Sequence, residues 1–217
     1  MDVNVRCRYL PKAAQSRRTY ASIPICCPDE GVRVNSTQSL ESGPEPGRAS
    51  RILNLGCGED YLQGAVNVDQ FARKVDVRHD LNQIPYPFAD DEFDEIRCMN
   101  IIEHLEDVIG VMQELHRIAR SRCIVTIRVP HFRSACLYED ITHRHGFAWR
   151  SFDVFTAGGT VYGEYSPRTF KIKSRAYTPY KLPILYKLLS KAPGLTDNLL
   201  SKYIPMASIL FEIEVVK

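Results

Sequence analysis

The chain has 217 residues, of which 44% are hydrophobic and 25% are charged, and its formal net charge is +2 at pH 7. This size and composition fit one soluble globular domain with a proper core, and the small net charge gives no reason to expect a nucleic-acid partner. The seven cysteines contain no CxxC pair, which is typical of a reducing compartment, so we expect a cytoplasmic protein. No apolar run approaches the roughly 20 residues of a membrane-spanning helix.

Residues 1–50 show no sustained helical or strand periodicity. The run "NSTQSLESGPEPGRAS" (35–50) is rich in Ser, Pro, Gly and Glu, as linkers are. We therefore predict a disordered N-terminal extension over 1–50 and a folded domain over 51–217. The first 28 residues carry five basic side chains against the single acidic Asp2, which leaves an organelle transit peptide open as the less favoured alternative.

Short β-type segments begin at Arg51 and alternate with helical or turn segments, which is typical of a parallel α/β sheet. The predicted strands are, in chain order, "RILNLG", "AVNVD", "KVDVRHDL", "FDEIRCM", "CIVTIRVP", "TFKIKSRAY" and "SILFEIEVV". Between the fourth and fifth strands, apolar residues recur at helical spacing over "EHLEDVIGVMQELHRIARS" and predict an amphipathic crossover helix. We expect Glu103 and His104 to head that helix in a mainly structural role, with His104 a minor catalytic candidate.

A glycine turn, Gly56-Cys57-Gly58, follows the first strand, and Asp69 closes the second. Glycines let the backbone approach a ligand closely, and an acidic residue after the next strand suits the hydroxyls of a ribose. The dinucleotide fingerprint requires a third glycine at the position where this chain has Tyr61. It also requires an acidic residue at a greater distance from the glycines than Asp69. The pattern therefore favours a ligand with adenosine but no phosphates, and makes a nicotinamide-dependent dehydrogenase the lesser alternative.

The motifs "LNLGCG", "NVD", "HDL", "PYPFADDEFDEI", "IIEHL" and "CIVTIRVPH", in this order, resemble those of class I S-adenosylmethionine-dependent methyltransferases, in particular the small Methyltransf_11-like proteins. The resemblance implies an α/β, Rossmann-like, three-layer αβα fold. Its seven-stranded sheet would be mostly parallel, with an antiparallel last strand and the two late strands as a closing hairpin. It also implies S-adenosyl-L-methionine as the cofactor.

Carried over by position, the resemblance implies seven cofactor-binding residues. Those at the glycine turn would line the methionine part, an acid would hold the ribose, two residues would bind the adenine, and one would face the transferred methyl group. In that order they are Gly56, Cys57 and Gly58; Asp69; Asp80 and Leu81; and Asn100. Two features depart from the family pattern. Asn54 stands where many members have an acid, and "EDYLQG" is too short for a full first helix.

The segment "PHFRSACLYEDITHRHGF" (130–147) should form a loop at the carboxyl edge of the sheet, where α/β folds bind ligands. It resembles the family's "DPTH" loop but lacks the proline. A histidine accepts a proton near neutral pH, so His143 is our first candidate for a general base, followed by His131 and Asp140. The irregular spacing of these histidines and Cys136 makes a zinc site the less favoured interpretation, and we predict no metal.

We therefore predict a methyltransferase acting on a small-molecule or saccharide- or lipid-linked acceptor. The alternative is a catalytically inactive, methyltransferase-like binding or scaffold subunit. Leucines and lysines over 180–203 predict a helix that covers one face of the sheet. The same segment leaves open a peripheral membrane or partner contact. The oligomeric state and the methylated atom cannot be read from the sequence.

Overall fold

The computed structural model describes residues 50–156, 170–178, 183–204 and 206–217. The extension predicted over 1–50 lies outside the described residues except for Ser50. The described segments contain seven strands, which form one sheet in the order β3-β2-β1-β4-β5-β7-β6. The strands are β1 (Ile52–Leu55), β2 (Ala65–Asp69), β3 (Val77–Arg78), β4 (Phe93–Met99), β5 (Ala119–Pro130), β6 (Phe170–Thr178) and β7 (Ser208–Val215).

Four α-helices connect these strands within the described segments. They are α1 (Val108–Ile118), α2 (Cys136–Glu139), α3 (Pro183–Leu189) and α4 (Pro193–Asn198). Short 3-10 turns lie at Ile102–His104, Asp153–Phe155 and Leu200–Lys202. None of the helices in the described part of the chain has the length and apolar character that crossing a bilayer requires.

The sheet confirms the predicted fold class. β3, β2, β1, β4 and β5 pair in parallel, whereas β7 lies between β5 and β6 and is antiparallel to both. β7 therefore forms the antiparallel hairpin with β6 that the resemblance implied. Parallel central strands are covered on both faces and so carry buried apolar side chains, as Leu53, Leu55 and Ile96 show with complete burial.

The crossover helix is confirmed, but it begins later than predicted. The Asp107 side chain caps α1 by accepting a hydrogen bond from the Gly110 N–H at 2.9 Å. Glu103 and His104 therefore do not head the helix, and instead lie in the preceding 3-10 turn. The helix ends at Ile118, and the chain passes directly into β5, which starts four residues before the predicted strand.

A hydrogen-bonded loop, rather than a helix, connects β1 to β2, as the short "EDYLQG" segment required. The buried Asn54 amide donates to the Asp60 carbonyl at 2.8 Å and to Asn67 Oδ1 at 3.0 Å. Asn67 in turn donates to Asp76 Oδ2 at 2.8 Å. Asn54, the departure from the family pattern, thus stabilises the loop. Asp76, just before β3, bonds to Asn67 of β2 through both its side chain and its backbone, and β3 itself spans two residues.

Candidate functional site

The glycine turn lies against the end of β4. Gly56 has a φ of +67°, and the N–H groups of Gly56 and Cys57 both donate to the Val68 carbonyl, at 2.8 and 3.1 Å. A Cβ added to Gly56 would lie 2.4 Å from Ile101 Cγ1. Only glycine fits this position, because the backbone is left-handed and the side chain after β4 occupies the space.

The Asp69 carboxylate stabilises this turn. Its Oδ2 accepts from the Gly58 N–H at 3.0 Å, and its Oδ1 accepts from the Phe71 and Ala72 N–H groups at 2.7 and 2.9 Å. A carboxylate offers about four acceptor sites, so about one remains for a ligand. Asp69 therefore shapes the loops on both sides of β2, a role that sequence reasoning did not predict.

Gly58 borders open space. Its φ is +52°, and a Cβ built there would meet no atom within 4 Å among the described residues. Asn100, predicted to face the transferred methyl group, follows β4 with a φ of +56°. Its side-chain oxygen accepts from Arg128 Nε at 3.1 Å, and its N–H donates to the Arg128 carbonyl at 2.9 Å. The glycine turn and Asn100 thus lie at the carboxyl ends of neighbouring strands.

Asp80 and Leu81 follow β3 at the same edge of the sheet. The Asp80 carboxylate accepts from the Asn82 N–H at 3.0 Å, and Leu81 is buried. The Asn82 side chain accepts from the Glu106 N–H at 2.9 Å, which connects this turn to the segment after β4. An acid beside a buried leucine agrees with the adenine-binding role that the resemblance implies, which stays a prediction.

The Cys57 thiol does not supply a nucleophile at neutral pH. Burial, together with the nearby Asp69 carboxylate, raises the pKa of this thiol to about 11. A thiol with such a pKa stays protonated at pH 7, and the thiolate is the reactive form. Cys57 therefore contributes its backbone and its small size to the turn.

A second group of side chains lies beyond Ile101. One ligand atom each from Glu103, His104 and His143 falls within 4.8 Å of the other two. The His143 Nε2 lies 4.0 Å from Glu103 Oε1, and the His104 and His143 ring centroids are 4.6 Å apart. These three residues are called the EHH cluster below. It contains His143, the first candidate base, and two residues that the sequence assigned mainly structural roles.

Glu103 is the buried acid of the cluster, with 1% of its surface exposed. Burial raises the pKa of its carboxyl to about 8, although Arg128 favours the charged form. Its Oε2 is the only buried side-chain polar atom in the described segments without a hydrogen-bond partner. A buried acceptor without a partner is costly, and such a group in a folded protein calls for an explanation.

Hydrogen bonds orient both histidines of the cluster. His104 Nδ1 lies 2.9 Å from Thr142 Oγ1, which donates its own proton to Asp140 Oδ1 at 2.6 Å. His143 Nδ1 lies 3.2 Å from the Leu137 carbonyl. Since a carbonyl only accepts, and the Thr142 hydroxyl proton is already used, both rings carry their proton on Nδ1. Each Nε2 therefore bears a lone pair.

Asp140, the third candidate for catalysis, acts on the cluster through Thr142. Burial by itself would raise its pKa, but hydrogen bonds from the Thr142 hydroxyl and N–H outweigh burial and hold the pKa below its ordinary value. Burial, aided by His143, lowers the pKa of His104. Asp140 is therefore a charged acceptor that orients the cluster, and His104 is a neutral imidazole at pH 7.

The backbone places the loop of His143 against the turn of Glu103. The Glu103 carbonyl accepts from the N–H groups of Arg144 and His145, at 2.8 and 3.3 Å. His145 Nε2 also lies 2.9 Å from the Leu105 carbonyl. The loop predicted to bind substrate is thereby attached to the carboxyl end of β4, beside the glycine turn.

His131 belongs to a different network. It is fully buried, its Nδ1 accepts from the Arg133 N–H at 3.1 Å, and its Nε2 lies 3.1 Å from Asp197 Oδ1. Asp197 also accepts from the Tyr177 hydroxyl at 2.5 Å. With both ring nitrogens engaged, His131 is better suited to joining β5 to α4 than to accepting a proton, so we favour His143 as the base.

Sequence reasoning missed the roles of Glu103 and Asp197. Glu103 follows the buried Ile102 and precedes the half-buried His104 in "IIEHL". An acid inside an apolar motif is a signal of burial. Asp197 carries no such signal, because its partners are distant in the chain.

Comparison with known proteins agrees with this geometry. Residues 40–127 match the family model Methyltransf_11, described as a methyltransferase domain. That segment includes the glycine turn, Asp69, Asp80 and the EHH cluster residues Glu103 and His104. No curated protein matches the chain significantly.

Solved structures that are similar to this chain have low sequence identity to it. A putative methyltransferase from Bacillus halodurans is 11% identical, with 77% of this chain and 93% of that chain covered and a TM-score of 0.50. A SAM-dependent methyltransferase from Archaeoglobus fulgidus is 14% identical, with 76% and 86% covered and a TM-score of 0.49. The YcgJ protein from Bacillus subtilis is 13% identical, with 77% and 92% covered and a TM-score of 0.49. With its motif order and strand order, the chain therefore contains a segment, residues 40–127, that matches a methyltransferase domain.

Proposed function

We propose that this protein is an S-adenosylmethionine-dependent methyltransferase that acts on a small-molecule or saccharide- or lipid-linked acceptor, and that the acceptor loses its proton at the EHH cluster. The observation that carries the proposal is the position of the cluster. Glu103 lies two residues after Ile101, whose side chain packs against Gly56 of the glycine turn. An acceptor bound between the turn and the cluster would thus lie between the methyl donor and a proton acceptor.

The residues at the glycine turn fit S-adenosylmethionine. Open space beside Gly58 leaves room for the ligand, and Asp69 keeps about one acceptor site for a ribose hydroxyl. Leu81 supplies a buried apolar surface next to Asp80 for the adenine. When bound, the cofactor supplies a methyl carbon on a sulfonium sulfur, and that sulfur keeps the bonding electron pair when the acceptor takes the methyl group.

His143 is the general base that we propose within the cluster. Its Nδ1–H is held by the Leu137 carbonyl, so its Nε2 lone pair faces Glu103 and His104. The ring is mostly buried, which restricts its orientation, and a base that is already oriented loses little entropy on reaction. Proton transfer to Nε2 leaves an imidazolium beside the Glu103 carboxyl, and that positive charge would favour ionisation of the carboxyl.

A carrier-linked acceptor is supported by the surface of α3. Ile184 and Leu188 are exposed on one side of this helix, and the exposed lysines 187 and 191 lie nearby. Apolar side chains flanked by lysines suit the surface of an anionic membrane, where a lipid-linked saccharide would be found. We propose this surface as the peripheral membrane contact of the protein.

The base assignment is tested with His143→Ala, using His116→Ala as the control. His116 lies on α1, bonded to the Val216 carbonyl and outside the cluster. We expect His143→Ala to keep its affinity for S-adenosylhomocysteine within about threefold. Transfer of labelled methyl groups into a metabolite and lipid extract should slow by about 100-fold or more. Transfer at the rate of the control would remove His143 from the mechanism. Cofactor binding without any transfer would favour the scaffold alternative.

A further inference from the structure

The EHH cluster has three features that a hydrogen-bonded group of side chains does not explain. The separation of 4.0 Å between His143 Nε2 and Glu103 Oε1 is too long for a hydrogen bond. Glu103 Oε2 is buried without a partner in the described part of the chain. The two Nε2 lone pairs have no donor in contact with them among the described residues, while both Nδ1 atoms are bonded.

We propose that Glu103, His104 and His143 bind one divalent first-row transition-metal cation, with Zn²⁺ as the best match. Two neutral imidazoles and one carboxylate are ligands that Zn²⁺ prefers. Ligand atoms about 2.0–2.2 Å from one ion lie within about 4 Å of each other. The three ligand atoms already lie within 4.8 Å of one another. Side-chain rotations that move these atoms by about 1 Å would therefore bring all three within bonding distance of one ion.

The groups that hydrogen-bond to the histidines of the cluster are of the kind that usually hydrogen-bond to metal ligands. Metal-bound histidines usually donate their second N–H to a carbonyl or to an acid, which sets the tautomer. His143 donates to the Leu137 carbonyl, and His104 donates to Thr142, which is held by Asp140. A cation would also offer the buried Glu103 carboxylate a positive partner in addition to the attraction of Arg128.

The proposed cation deepens the proposed function, on which its role in catalysis rests. Three protein ligands leave at least one coordination position open, as in catalytic zinc sites. An acceptor hydroxyl bound there would lose its proton to water more readily, because the cation lowers the pKa of a coordinated oxygen. His143 would then act as a ligand, and the cation would replace direct proton transfer to its Nε2.

The test is a titration of the untagged, chelator-treated full-length protein with Co²⁺, which reports its coordination through visible d–d absorption. We expect one equivalent to bind and Zn²⁺ to displace it. Glu103→Gln and His143→Ala should each weaken Co²⁺ binding by about 100-fold. His116→Ala is the control, since His116 lies on α1, outside the loop of the cluster, and bonds to the Val216 carbonyl. Its affinity for Co²⁺ should stay within about threefold.

Absence of d–d bands, or Co²⁺ binding that Glu103→Gln leaves unchanged, would overturn the cation site. So would an equal loss of binding in His116→Ala, because the loss would then not be specific to the three ligands. Circular dichroism of each variant shows whether it folds. S-adenosylhomocysteine calorimetry separates the two proposals. Cofactor binding without Co²⁺ binding overturns only the cation site, whereas Co²⁺ binding without cofactor binding overturns only the proposed function.

Discussion

Single residues determine the geometry of the glycine turn. Gly56 and Gly58 both have positive φ values, yet their surroundings differ. Gly56 faces the Ile101 side chain, whereas Gly58 faces open space. The first glycine is therefore needed for packing as well as for its backbone conformation. The second is needed for its backbone conformation and for access to the ligand.

This difference predicts the effects of two alanine substitutions. Gly58→Ala should lower the free energy of unfolding by about 1 kcal/mol, because an alanine at positive φ is strained. Gly56→Ala adds a clash with Ile101 and should lower it by about 3 kcal/mol or more. Urea denaturation followed by circular dichroism measures both values. Equal losses would show that the contact between the turn and Ile101 does not matter.

Among the elements, α3 has residues in two environments, the buried core and the exposed surface. Tyr186 and Leu189 belong to the core, so the prediction of a helix that covers the sheet describes this face. Ile184 and Leu188, four residues apart and hence on one side of the helix, are 78% and 56% exposed. The same helix therefore stabilises the fold and presents an apolar surface.

We expect that exposed face to bind membranes. Leu188→Glu should weaken binding to vesicles of phosphatidylcholine and phosphatidylserine by about tenfold, because it removes apolar contact and adds a negative charge. Co-sedimentation with vesicles measures the affinity. The control is Phe71→Glu, since Phe71 is also exposed but lies in the loop after β2. An equal loss in the control would contradict a contact specific to α3.

An ion pair with a buried carboxylate connects segments that are distant in the chain. Glu114 on α1 accepts from Arg117 Nη2 and from the Tyr86 N–H, both at 2.6 Å. Arg117 also donates to the Phe88 carbonyl at 2.9 Å and to Asp90 at 2.6 Å. The pair thus attaches the segment before β4 to the crossover helix.

The ion pair predicts how stability depends on pH. Burial by itself would raise the pKa of Glu114, but hydrogen bonds from Arg117 and Tyr86 outweigh burial and hold the pKa below its ordinary value. The folded state therefore binds its proton less readily than the unfolded chain. The stabilisation is present above the unfolded value of 4.5 and is lost as pH falls through the folded value.

Glu114→Gln should lower the free energy of unfolding by about 1–3 kcal/mol at pH 7, and the difference from wild type should shrink as the pH falls below 4.5. Denaturation curves across this pH range measure the difference. Glu59→Gln, at an exposed position, is the control and should show little change at any pH. A loss in Glu114→Gln that does not depend on pH would mean that packing, rather than charge, stabilises this region.

The sequence by itself was enough to predict the strands, the crossover helix, the glycine turn and the match to a methyltransferase domain. These features depend on local chemistry: apolar periodicity, glycine at positive φ, and motifs in a specific order. The lack of a full helix between Gly58 and Ala65 was also predictable, because the connection has too few residues. The residue at which α1 begins was not predictable. Either Glu103 or Asp107 could precede the helix, and the choice depends on which of them is buried.

Only the tertiary structure decided which polar residues meet. His104 and Thr142 are 38 residues apart in the chain and become neighbours because the loop after β5 pairs with the turn after β4. Likewise, Asp197 meets His131 through a contact across 66 positions. Side-chain burial and hydrogen bonding between distant segments carry no periodic signal, so the EHH cluster could be recognised only after the sheet had placed its residues together.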